Sequence, residues 1–116
     1  MAKLVNNDFE KIPEHGKKPN QKLKAYLVLQ HLMKETDENH PLGAEDIVEL
    51  IEADGIHAER RSIYRDIEEI NLISLMLEES CTVDEAAEML ADDEDDELKL
   101  VVYRRSKEKK GYYVND

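Results

Sequence analysis

Three arginines, Arg60, Arg61 and Arg65, stand within six residues of the stretch 59-ERRSIYRDIEEI-70. Arginine carries a planar fork that bonds bidentately to a guanine edge, a phosphate or a carboxylate, so a cluster of them on one surface is chemistry for reading bases or anions. Ile63, Ile67 and Ile70 recur four and then three apart, which predicts a helix beginning near Ala58 with those isoleucines buried. At 100° per residue, Arg61 lies about 160° and Arg65 about 200° from Ile63, so both point away from the core. Arg60 and Tyr64 fall on one flank and Ser62 on the other. Such a face suits a major groove, whose width admits a helix. The plainer reading is a solvated face, with Arg65 paired to Glu68 or Glu69.

A second basic cluster lies near the end, in "LKLVVYRRSKEKKGYYV". Leu98, Leu100 and Val102 alternate with Lys99, Val101 and Tyr103; a basic tip and a short Tyr-Tyr-Val strand follow. This pattern predicts a β-hairpin over 98–114, with Gly111 available for the tight turn. Its tip holds Arg104, Arg105, Lys107, Lys109 and Lys110. A basic hairpin after a helix-turn-helix acts as a wing, laid along phosphates or over the minor groove, and supplies sequence-independent affinity. The alternative is a charged hairpin facing solvent.

Other chemistry lacks its residues. His15, His31, His40 and His57 show no metal-ligand spacing with Cys81, and no glycine-rich phosphate loop or nucleophile motif occurs. The acidic run "DDEDDE" has neither the spacing nor the glycine of a calcium-binding loop. The expectation is a non-enzyme with no metal and no cofactor.

Short elements must position the two basic clusters. Residues 1–20 read as a flexible basic arm, whose "KKPNQKLK" segment is placed to reach neighbouring phosphates. Leu23, Tyr26, Leu27, Leu29 and Leu32 predict a helix over 21–35. Ile47, Leu50 and Ile51 predict another over 44–53, and Gly55 suits the turn that ends it. Helix, short turn and helix then have helix-turn-helix spacing, with the second helix over 58–71. Residues 72–97 form an acidic insert, in which Thr82 and Glu85 make a capping box that starts a further helix. With 116 residues there is room for one domain, here 21–116. No signal-peptide core or membrane-length apolar run occurs, and the single cysteine excludes an internal disulfide framework, so the expected location is the cytoplasm.

The net charge of −12 argues against nucleic acid, but its distribution does not. Residues 66–97 carry fourteen carboxylates and no Lys or Arg; subtracting that −14 from −12 leaves +2 for the rest of the chain. Residues 99–110 alone hold six Lys or Arg against one Glu. The chain is a weakly basic body with one strongly acidic segment.

The segments "KPNQKL", "IVELIEADGIHAERRSIYRDIE" and the closing Tyr-Tyr-Val strand resemble the N-terminal domain of WYL-domain transcriptional regulators, whose winged helix is DeoR-like. The resemblance spans nearly the whole chain, and "RRSIYRDIE" is its most specific part. It implies that Arg61, Ser62, Tyr64 and Arg65 fall where such proteins meet DNA, with Asp66 just beyond. Two features depart from the family. Roughly 27 residues separate the recognition helix from the wing, where the family has a few. The ligand-sensing domain that follows the wing in the family is not in this sequence, so the resemblance implies no effector.

The expected fold is mainly α with a small β-hairpin wing: a winged helix-turn-helix with a three-helix core and a helical insert. The expected function is sequence-specific binding of double-stranded DNA by a transcriptional regulator, with Arg60, Arg61, Ser62, Tyr64 and Arg65 on the helix and Arg104, Arg105, Lys107, Lys109 and Lys110 on the wing. The rival is a winged-helix protein-interaction module that uses the acidic insert. Residues 72–91 either support a homodimer or thicken the monomer's own core.

Overall fold

The computed structural model describes residues 20–115. Among them, four helices precede a two-stranded antiparallel hairpin: α1 (Gln21–Glu35), α2 (Ala44–Ala53), α3 (Arg60–Glu79), α4 (Val83–Ala91), β1 (Val101–Arg105) and β2 (Lys110–Val114). α1 and α2 have the bounds read from the sequence. The basic arm lies outside the described residues except for Asn20. None of the described helices is long and apolar enough to cross a membrane.

One apolar cluster joins all three leading helices to the hairpin. It contains Val28 and Leu32 of α1, Ile47 and Ile51 of α2, Ile56 and Ala58 between helices, Ile63, Ile67 and Ile70 of α3, and Val101 and Val114. α1 buries the expected stripe in part: Leu32 is buried and Leu27 and Leu29 pack against the core. Leu23 and Tyr26 are exposed, while Lys24, Val28 and Leu32 face inward at intervals of four. The rotation follows from a buried ion pair between Lys24 and Asp66 of α3. Either charge alone in that position would be severely destabilising, so the pair fixes the helix's facing. Lys24 is therefore not part of a phosphate-reaching arm.

The turn before α3 uses Gly55 at φ 90°, after which the Ile56 N–H returns to the Ile51 carbonyl at 3.2 Å. α3 starts at Arg60, not Ala58, because Ala58 is buried with its N–H directed to Glu52 Oε2 at 3.4 Å. It also runs on to Glu79, so the apolar run Leu72–Leu77 extends this helix, the first of the two arrangements open to it (extension or a separate helix), and the insert begins after it. Ser80, at φ 53°, stops it. The Thr82–Glu85 capping box forms as expected, with bonds of 2.9 and 3.2 Å, and starts α4. The acidic run is a loop with Asp92, Glu94, Asp95 and Glu97 exposed, and local bonds give it shape. Asp93 accepts the N–H groups of Glu97 at 3.0 Å and Leu98 at 2.9 Å, and Asp96 pairs with Lys99 at 2.8 Å.

The hairpin register sets Val101 opposite Val114 and Arg105 opposite Lys110. Val101 and Val102 are both buried, so the expected alternation from Leu98 does not hold. Gly111 is not in the turn. It lies in β2 at φ 149°, where a Cβ would stand 2.6 Å from the carbonyl carbon and oxygen of Leu42. The cause is a bridge from the α1–α2 loop: Leu42 and Tyr112 exchange backbone hydrogen bonds of 2.9 and 2.7 Å. β2 is thus flanked by β1 on one edge and by Leu42 on the other.

Candidate nucleic-acid interface

α3 presents its arginines as the helical wheel requires. Arg61 and Arg65 are exposed, and among the described residues neither has an ion-pair or hydrogen-bond partner, so Arg65 is not paired with Glu68 or Glu69. Arg60 is engaged: its guanidinium meets Glu45 of α2 at 2.6 Å. Both side chains are exposed, and such surface pairs contribute little energy, so Arg60 remains exchangeable. Ser62 is held at the start of the helix. Its hydroxyl donates to the Glu59 carbonyl at 2.7 Å and accepts the Glu59 N–H at 3.2 Å.

Tyrosines connect this helix to the hairpin. The rings of Tyr64 and Tyr112 are 6.4 Å apart, those of Tyr103 and Tyr112 are 4.9 Å apart, and the Arg105 guanidinium lies 6.0 Å from the Tyr103 centroid. Burial raises the Tyr112 phenol above its ordinary value, and the neighbouring Tyr64, Tyr103 and Glu68 push the same way. An open groove between α2, α3 and the hairpin is lined by Arg60, Tyr64, Tyr103, Arg105 and Lys110, and on the α2 side by the carboxylates Glu45 and Asp46.

The hairpin's five cations divide into three kinds. Arg104 donates to the Glu38 carbonyl, and Lys109 to the Asn39 carbonyl at 3.0 Å, so both are folded back on the α1–α2 loop. Lys107 and Lys110 are exposed and have no such partner among the described residues, while Arg105 rests on Tyr103. Ser106 organises the turn by accepting the N–H groups of Glu108 and Lys109, each at 3.1 Å.

Two positioning contacts escaped the sequence reading. One is the Lys24–Asp66 pair beneath Arg65. The other is Asn71, which is buried on α3 and bonds both backbone groups of Val101: its Nδ2 donates to the carbonyl at 3.0 Å and its Oδ1 accepts the N–H at 2.8 Å. The side chain stands in for a missing strand on the outer edge of β1. Its one signal in the sequence is a polar residue four after the buried Ile67, inside an apolar run.

The described residues bring together Arg61, Tyr64 and Arg65 on one element and Tyr103, Arg105 and Lys110 on the other, joined by tyrosine packing and by Asn71. Chemically this is an aromatic surface rich in cations and bordered by the carboxylates of Glu45, Asp46 and Glu68. Among the described residues no group of three or more His, Cys, Asp or Glu side chains is arranged to hold a metal ion. Comparison with protein families, with characterised proteins and with solved structures returned no match.

Proposed function

We propose that the chain is a winged helix-turn-helix module that binds double-stranded DNA in a sequence-specific way, as the DNA-reading part of a transcriptional regulator. The first two turns of α3 enter the major groove and the β1–β2 hairpin follows the backbone. The observation that carries this reading is the pair of exposed guanidinium groups of Arg61 and Arg65, without a partner among the described residues and opposite the buried isoleucines of the same helix. The Asn71 contact and the Leu42 bridge support it, because the first ties the basic hairpin to that helix and the second ties it to the α1–α2 loop. Lys107 and Lys110 are the hairpin cations available to phosphates.

Selection from a random duplex pool tests the proposal, and enrichment of one motif is the expected result. Arg61→Ala should then cost about 1–3 kcal/mol on the selected site and relax discrimination at one position. A folded Arg61→Ala/Arg65→Ala protein that binds selected and scrambled duplexes as the parent does would refute it.

A protein-interaction module is the second reading. Ile73, Leu77 and Val83 favour it, being exposed apolar side chains in the acidic half of the chain. Heparin retention separates the two, because only the DNA-binding surface requires elution by salt.

A further inference from the structure

The second half of α3 leaves apolar side chains uncovered. Leu77 is 77% exposed and Ile73, one turn earlier, is 55% exposed. Glu69, one turn before Ile73, continues the stripe. A second uncovered stripe runs along α1, where Leu23, Tyr26 and Met33 are exposed with Gln30 among them and Lys22 and Lys34 at the margins. At 100° per residue these six positions fall within about 120° of one another, opposite the buried Lys24, Val28 and Leu32.

The stripes match in length and are opposite in charge. Leu23 to Met33 rises about 15 Å and Glu69 to Leu77 about 12 Å. The α1 stripe is edged by Lys22 and Lys34, whereas the α3 stripe begins at Glu69 and no Lys or Arg occurs from there to Glu97. Both stripes open on the same side of the molecule. Asp66 leaves α3 toward Lys24 of α1, and on the helical wheel its direction lies about 20° from both Ile73 and Leu77. That direction is about 120° from the mean direction of Arg61 and Arg65, so the stripe is separate from the proposed DNA face.

We propose that these stripes form the contact of a two-fold homodimer, with α1 of each copy lying across the second half of α3 in the other copy. Like-to-like pairing would set Glu69 against Glu69 and lysine against lysine, which is repulsive; α1 against α3 pairs opposite signs. A single helix crossing falls short of the ~800 Å² that each partner contributes to a standard interface. The two-fold arrangement engages both stripes of both copies, doubles the contact and closes it, where a single crossing would propagate into an open chain.

Light scattering and sedimentation of the full chain across a concentration series, without DNA, test this independently of any DNA-binding role. The mass should rise from one chain to two. Leu77→Asp and Glu69→Lys should each weaken dimerisation at least tenfold while the circular dichroism stays unchanged, since both side chains are exposed within one copy. Combining Glu69→Lys with Lys22→Glu and Lys34→Glu should recover it. A chain that stays monomeric throughout overturns the proposal, whatever else covers the stripes. So does a dimer indifferent to Leu77→Asp, a failed charge-swap rescue, or growth beyond two chains.

Discussion

Asn71→Leu is the sharpest probe of how the hairpin is held. The substitution conserves approximate size but removes both partners of Val101, the 3.0 Å and 2.8 Å bonds. In the register Val101 faces Val114, and its own N–H and carbonyl point away from β2 toward α3, so no ladder bond replaces the lost ones. A buried backbone group left without a partner costs about 1–3 kcal/mol. Two such groups, partly relieved by water that enters the space the amide leaves, put the expected loss at about 2–4 kcal/mol. Against a total stability of about 5–15 kcal/mol, the protein should still fold. The denaturant midpoint should drop at unchanged slope, and amides of β1 and β2 should exchange faster than those of α1 and α2. Asn71→Asp keeps an acceptor for the Val101 N–H but sets a carboxylate oxygen against its carbonyl, so it should be at least as damaging at neutral pH. A loss below about 1 kcal/mol for Asn71→Leu, with hairpin amides as protected as before, would refute the argument that this side chain substitutes for a strand.

Gly111→Ala should lower stability by about 1–3 kcal/mol, measured as a drop in thermal midpoint, because its Cβ meets the Leu42 backbone at 2.6 Å and φ is 149°. Lys107→Gln and Lys110→Gln should each flatten the salt dependence of DNA binding by about one phosphate's worth, whereas Lys109→Gln, whose ammonium is bound to the Asn39 carbonyl, should change the slope less. For Tyr112 the folded phenol titrates above the ordinary value of 10.0, so its neutral form is favoured by folding. That stability is present below the ordinary value and is lost as pH rises through the raised one; the thermal midpoint should fall above about pH 10, and Tyr112→Phe should flatten the fall.

What the sequence revealed depended on how local each determinant was. Ile63, Ile67 and Ile70 declare the buried edge of α3 by spacing alone, and the outward angle of Arg61 and Arg65 follows from the same wheel. The Thr82–Glu85 box is equally local, and α4 starts where it says. The stripe of α1 was only partly legible because Lys24 looks like a solvent residue until its partner, 42 positions away, is known. Gly111 carries a signal that serves either a turn or a close backbone approach, and the Leu42 backbone that decides between them is far away in sequence. The wing's cations look equivalent in the string "RRSKEKK". Only the folded loop shows that the carbonyls of Glu38 and Asn39 occupy Arg104 and Lys109 and leave Lys107 and Lys110 exposed.

The acidity that opposes a DNA role is distributed along α3 by both angle and distance. Asp66 follows Arg65 directly, but its charge is met inside the fold by Lys24. From Arg65 to Leu77 the helix rises about 18 Å, roughly two screening lengths at physiological ionic strength, so Glu78 and Glu79 are attenuated along that axis at the arginines. Glu68 and Glu69 are not. Both are exposed within about 6 Å of rise from Arg65, and Glu68 lies at about 140° from Ile63, nearly the direction of Arg61. On the proposed reading surface Glu68 therefore marks where phosphate contact must end. If the chain binds DNA as proposed, contact is confined to the first two turns of α3 and the rest of the affinity falls to Lys107 and Lys110 on the hairpin. Beyond Glu68 the helix is free for a different partner, and its exposed side chains change there from cationic to acidic and apolar.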